Sequence, residues 1–335
     1  MIKKLKLRLG EKGGPGSGNW GHAGRPGLVG GSSKRSVHFG PGDAGAWGED
    51  LNAFMDERTP EYGDWRRASH RIRAVVKSQI TDELCERTGL DRELVRDFIK
   101  QWAHSSNDSD MRSLSIQEAA AEELGVELSD WQKASIEKIL DVSWMDEQYS
   151  HWPKETLDKA KADYFNRLDR KPLMPREQER QLVRAMYDYT QEELAKAGYK
   201  PDDTIEVYRG VTYGDTKPDF GESDVINYKG NAIESWSVGE QVADAFAAGG
   251  GELGPIDPMG ILDYGATISM NVPVKNIIST AHTGFGCLKE GEVIVAGNVP
   301  GSKGFVNTLF EPPTQEEIDE YMNLTGASEV IDYWT

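Results

Sequence analysis

Hydrophobic and polar positions change their rhythm near residue 200. Before it, apolar residues recur at spacings of three and four, which gathers them on one face of a helix. This predicts helices over 44–58, 61–87, 91–105, 115–124, 129–142, 155–168 and 176–197, packed as a bundle. The last of them carries Leu182, Ala185, Met186, Tyr189 and Leu194 on one side. Beyond it the period shortens to two: 204–208 and 265–272 alternate, and 292–296 is β-branched and apolar, as in strands. Asp91 is placed to cap the helix bearing Leu94, Val95 and Phe98, and the pairs Ser115/Glu118 and Thr314/Glu317 read as capping boxes. Gly89, Gly125 and Gly198 fall where helices should end. Pro312 and Pro313 stop the final strand before a short helix through Met322. The expected fold class is α+β, with helices first and a sheet after them.

Composition changes this picture mainly at the N-terminus. Residues 10–48 are Gly-rich and poor in apolar side chains, which predicts a flexible arm without a core of its own. The arm is basic: residues 1–38 hold eight Lys or Arg against Glu11 alone, so of the net charge of -18 the remaining body carries -25. An acidic body disfavours nucleic acid as a partner and suits a basic protein surface. Two cysteines, Cys85 and Cys287, form neither a disulfide framework nor a zinc spacing, and His70, His104 and His151 lack ligand spacing, so no metal is expected. Trp65, Trp102, Trp131, Trp144 and Trp152 sit in helical stretches and read as core. No apolar run of signal-peptide or bilayer-spanning length is seen, so secretion and a transmembrane segment are not expected.

Three short signatures follow in order: Val207-Tyr208-Arg209-Gly210, Ser235-Trp236-Ser237 and Glu290-Gly291-Glu292. Between them run 238–247, rich in Ala and closing on Phe246-Ala247, and 266–273, closing on Val272-Pro273. Taken together, residues 172–310 resemble the mono-ADP-ribosyltransferases of the R-S-E class. The resemblance implies a split β-sandwich with flanking helices that binds NAD in a cleft without metal, NAD being a substrate. It divides the chain into the arm at 1–43, a helical domain at 44–170, a catalytic domain at 171–311 and a tail at 312–335. No dinucleotide-binding glycine fingerprint competes with this, because Gly249-Gly250-Gly251 does not link a strand to a helix.

Cleaving the nicotinamide–ribose bond of NAD creates a cationic sugar while nicotinamide leaves neutral, so the site must supply negative charge rather than an acid. The resemblance assigns that carboxylate to Glu292. Glu290, two residues earlier, falls on the same face if the backbone is extended, and in the family it positions an acceptor guanidinium. Arg209 is expected to hold the NAD phosphates, with Gly210 turning the chain towards the cleft. Ser235 is expected to bond Glu292, and Ser237 to brace the strand or the nicotinamide pocket; Trp236 departs from the small polar residue usual there. Phe246 stands where relatives stack an aromatic on nicotinamide or pack their core. Phe285 lies in the loop that in relatives touches the protein target, exposed to contact it or buried to anchor the loop. The Gly-rich run 247–261 suits a mobile loop over the cofactor.

These expectations describe transfer of ADP-ribose from NAD to an arginine on a host protein. The string at 13–32, GGPGSGNWGHAGRPGLVGGS, is similar to one in phage minor head and head-morphogenesis proteins, and 98–108 resembles helical regions of phage ADP-ribosyltransferase-like proteins. The string in the arm suggests a virion-associated effector acting in the bacterial cytoplasm, with the arm as a linker or as a capsid-docking tag; no chemistry attaches to 98–108. The alternatives are an NAD glycohydrolase, a nucleic-acid ADP-ribosyltransferase, and a structural head protein with an inactive transferase fold.

Overall fold

A computed structural model of the chain describes residues 3–6, 37–42, 48–60, 64–104, 111–130, 132–134, 143–167, 174–221, 223–249 and 263–325. Trp131, most of the run 247–261 and the string at 13–32 lie outside them. The fold is α+β. Helices α1 (Asn52–Glu57), α2 (His70–Thr88), α3 (Arg92–His104), α4 (Met111–Leu124), α5 (Ser143–Gln148), α6 (Lys154–Arg167) and α7 (Arg176–Lys196) precede most of the sheet. The strands are β1 (Lys3–Lys6), β2 (Thr204–Thr212), β3 (Val225–Asn227), β4 (Ile233–Ser237), β5 (Gly265–Pro273), β6 (Ile277–Thr280), β7 (Glu292–Ala296) and β8 (Lys303–Glu311). Helix α8 (Glu240–Ala247) follows β4, and α9 (Gln315–Thr325) ends the described chain. No helix among the described residues is long and apolar enough to cross a membrane.

Strand order is β1-β8-β5-β2-β4-β7-β6, with β3 also on β8. β2 and β5 are antiparallel through nine residue pairs, from Thr204↔Pro273 to Thr212↔Gly265. β4 and β7 are joined through five, ending at Ser237↔Glu292. Between these halves β2 and β4 share one pair, Tyr208↔Ser237. The sheet is thus split where the arginine and serine signatures meet.

Ile72, Val76, Ile80 and Leu84 of α2, Val95, Phe98, Ile99 and Trp102 of α3, and Leu182, Val183 and Met186 of α7 are buried in one cluster with Ile205, Val207, Ile268, Val293 and Val295 of the strands. The expected boundary near 171 therefore does not separate two cores. Apolar stripes on α2, α3 and α7 find their complement in the sheet as well as in neighbouring helices.

Helix ends follow local chemistry in some places and tertiary partners in others. Asp91 Oδ1 accepts from the backbone N–H groups of Glu93 and Leu94, and Thr314 and Glu317 bond reciprocally. Gly89, Gly125 and Gly198 all have positive φ. The box expected at Ser115 does not form, because α4 begins at Met111 and runs through it. Ser115 Oγ instead donates to Glu179 of α7, and Glu118 pairs with Arg176. A reciprocal box lies further on, where Ser129 N–H donates to Gln132 Oε1 and Gln132 N–H to Ser129 Oγ. The helix expected over 61–87 starts only at His70, since Asp64 and Ser69 bond backbone N–H groups of Arg66 and Ile72 and cap two separate turns.

Candidate active site at the split in the sheet

Glu292 opens β7 and is 6% exposed. Its carboxylate is held from three directions. Oε1 accepts from Ser235 Oγ on β4 and from Trp102 Nε1 on α3, at 3.1 Å in the latter case. Oε2 accepts from the backbone N–H of Cys287 at 2.5 Å. Several donors on one carboxylate fix its rotamer and direct its remaining lone pairs.

Arg209 lies across the split. Its Nη1 donates to the carbonyl of Ser235 at 2.5 Å, and its Nη2 is 4.0 Å from Glu234 Oε1. Burial works against the guanidinium charge, but Glu234, Tyr228 and Glu292 outweigh it and raise its pKa. β2 continues through Arg209 to Thr212, so Gly210 is not a turn residue as expected. A Cβ there would collide with the Ala243 carbonyl and Ala247 nitrogen and approach Phe246 Cβ to 2.8 Å. Gly210 is needed because α8 crosses β2 closely. Phe246 is half-buried and packs against the core.

Glu290 and Glu292 do not share a strand face. Leu288–Glu290 is a turn of 3-10 helix, and Gly291 follows in the left-handed region at φ 54°. Only at Glu292 does β7 begin, so the alternation expected of an extended backbone does not apply. A Cβ on Gly291 would also stand 2.6 Å from the Trp65 ring, itself wholly buried. Ser237 braces this turn: its Oγ donates to the Glu290 carbonyl at 2.6 Å and accepts from Gly239 N–H at 3.0 Å. Burial, then the charge of Glu292, push the Glu290 carboxyl up to about 7.

Phe285 is wholly buried, so it anchors the loop before β7 instead of presenting a target contact. Its ring stacks on Trp102, centroids 5.0 Å apart at 19°, and touches Phe98 at 5.2 Å. Lys77 of α2 holds the same loop by donating to the carbonyls of Gly284 and Gly286 at 3.2 and 2.5 Å. Burial lowers the Lys77 pKa to about 8, opposed by Glu292 and Cys287. Burial also pushes the Cys287 thiol up to about 11, helped by Glu290 and Glu292, which leaves it a poor nucleophile.

Trp236 is buried on the opposite side of β4 from Ser235 and packs edge-on against Tyr228 at 5.2 Å, filling core volume. Tyr228 OH donates to Glu234 at 2.7 Å, beside a polar cleft that also involves Lys133, Asn231 and Asn298. Among the described residues no group of His, Cys, Asp or Glu could hold a metal ion.

The structure thus gathers Arg209, Ser235, Ser237, Glu290 and Glu292 about one junction and places Gly210 and Phe246 under α8. Sequence patterns did not point to Trp102, Lys77, Trp65 or the Cys287 amide as neighbours of these groups. A Lys within a helix and a backbone N–H carry no spacing signal, whereas Trp102 does fall within the segment 98–108 singled out above. No protein-family model, no curated protein and no solved structure matches this chain.

Proposed function

We propose that the protein is an NAD-dependent mono-ADP-ribosyltransferase that modifies arginine on a host protein. The observation that carries this reading is the Ser235–Glu292 hydrogen bond beside Arg209 at a one-pair split in the sheet. A carboxylate so fixed is suited to face a developing ribosyl cation, because its charge is oriented before the reaction begins. The bond from ribose C1′ to the nicotinamide nitrogen breaks, and its electron pair leaves with the neutral base. A guanidinium nitrogen of the acceptor forms the new bond to C1′ and gives up a proton. Arg209 supplies the positive charge that the NAD phosphates need. Glu290, two residues before Glu292 and across the bend at Gly291, supplies the acceptor's anionic partner when it is deprotonated.

Incubation with labelled NAD and host lysate, beside Glu292→Ala, tests the reading. Label on arginine of particular proteins, absent with the variant, supports it. NAD left untouched by the wild-type chain and also by Trp102→Phe, which lacks the N–H bonded to Glu292, refutes it. The raised pKa of Glu290 favours one second reading, an NAD glycohydrolase, since a neutral Glu290 is a weak guanidinium partner. NAD consumption without protein label, unaffected by Glu290→Gln, would select it. The phage-like string at 13–32 supports carriage in the virion; purified particles lacking the chain would rule that out.

A further inference from the structure

Resting on the assignment of Glu292 as the NAD-facing carboxylate, we propose that α3 is a built-in cover over it. Trp102 occupies the place where the ribose must arrive, and turnover requires α3 to withdraw. Ser235 and the Cys287 amide belong to the strands and turn that build the site itself. Trp102 comes from a helix 190 positions earlier in the chain, and its N–H sits on the oxygen that Ser235 also bonds. A ribose hydroxyl needs a lone pair on this carboxylate, and the sugar needs open space beside it. With Glu292 and Trp102 each 6% exposed and Phe285 wholly buried behind the indole, that space is filled by the protein.

The docked position of α3 buries Val95, Phe98 and Ile99 but also carries a polar cost. It buries Gln101, 7% exposed, with Nε2 lacking a hydrogen-bond partner. A buried amide donor without an acceptor costs free energy that water would return. The polar links of Arg92 run to Asp82 and Ser78 of α2, at exposed positions, and do not fasten α3 to the sheet. The aromatic stack, the Trp102 N–H and the burial of Val95, Phe98 and Ile99 hold the cover shut, and none of these is a pairing of backbone groups.

The test measures NAD consumption by the full chain, its folding checked by circular dichroism. Trp102→Phe keeps an aromatic ring on Phe285 and removes the N–H that bonds Glu292. Loss of a hydrogen bond to a charged group shifts the closed population enough to raise kcat/KM about tenfold. Adding Glu292→Ala to Trp102→Phe should return consumption to background, showing that the gain passes through Glu292. Gln101→Leu removes the unpartnered donor, favours the closed state and should lower consumption. An active wild type with Trp102→Phe equal or slower overturns the cover and makes Trp102 a supporting residue. Silence from wild type and Trp102→Phe alike, with no NAD-dependent change in tryptophan fluorescence, overturns the NAD reading and the cover with it.

Discussion

α3 and α4 both bring the helical half of the chain against the sheet, and they do it by opposite means. α4 is fastened through polar groups with defined partners. Gln117 donates to the Ile233 carbonyl and accepts from the Ile233 N–H, both at 2.8 Å, as an added rung on β4. Behind it, Arg176, Arg180 and Arg184 of α7 reach Glu118 and Glu123 of α4. α3 meets the sheet through buried apolar side chains, Val95, Phe98 and Ile99, the stack of Trp102 on Phe285 and the indole N–H. Paired hydrogen bonds and forked ion pairs hold a single register, whereas an aromatic face tolerates sliding. The contrast separates a fixed attachment from a movable one around the same strands.

The largest effect should come from the carboxylate that α3 covers. Glu292→Gln keeps its shape and removes its charge, and nicotinamide release followed by chromatography should fall about a thousandfold. Next is the fixed attachment. Glu123 side chain is 6% exposed and serves both Arg180 and Arg184. Glu123→Ala leaves those guanidiniums with less compensation in a largely buried seam and should cost about 3 kcal/mol in urea unfolding. An unchanged midpoint would show the seam to be incidental.

A smaller effect is expected from pH. Glu290 is neutral below about 7 and charged above it, so guanidinium pairing is lost in acid and gained as pH rises through that value. Initial rates of arginine labelling should climb about tenfold from pH 6 to pH 8 through this one ionisation, and Glu290→Gln should remove that rise along with most of the activity. The smallest is local to α3: Asp91→Ala deletes its N-cap and should cost about 1 kcal/mol in unfolding free energy.

Periodicity made most of the fold legible. α3, α6 and α7 lie within a residue or two of their expected limits, and β2, β5 and β7 contain the alternating or apolar runs. Capping was legible at Asp91 and Thr314, where no tertiary partner competes, and misleading at Ser115, where Glu179 does. The site was legible as a set of residue types and not as a geometry. The two-residue spacing of Glu290 and Glu292 puts them on one face only of an extended backbone, but Gly291 bends the chain between them and Trp65 fills the space above it.

By itself the sequence determined that most helices precede most strands, the caps at Asp91 and Thr314, and the order of the three signatures. Those features are local: they depend on side-chain period and on residues a few positions apart. Only the tertiary structure decided that β2 and β4 meet at a single pair, that Gly210 yields to α8, and that the Trp102 N–H bonds Glu292. Each of these is set by packing between residues tens to hundreds of positions apart, where shape and burial choose the partner and no spacing along the chain records the choice.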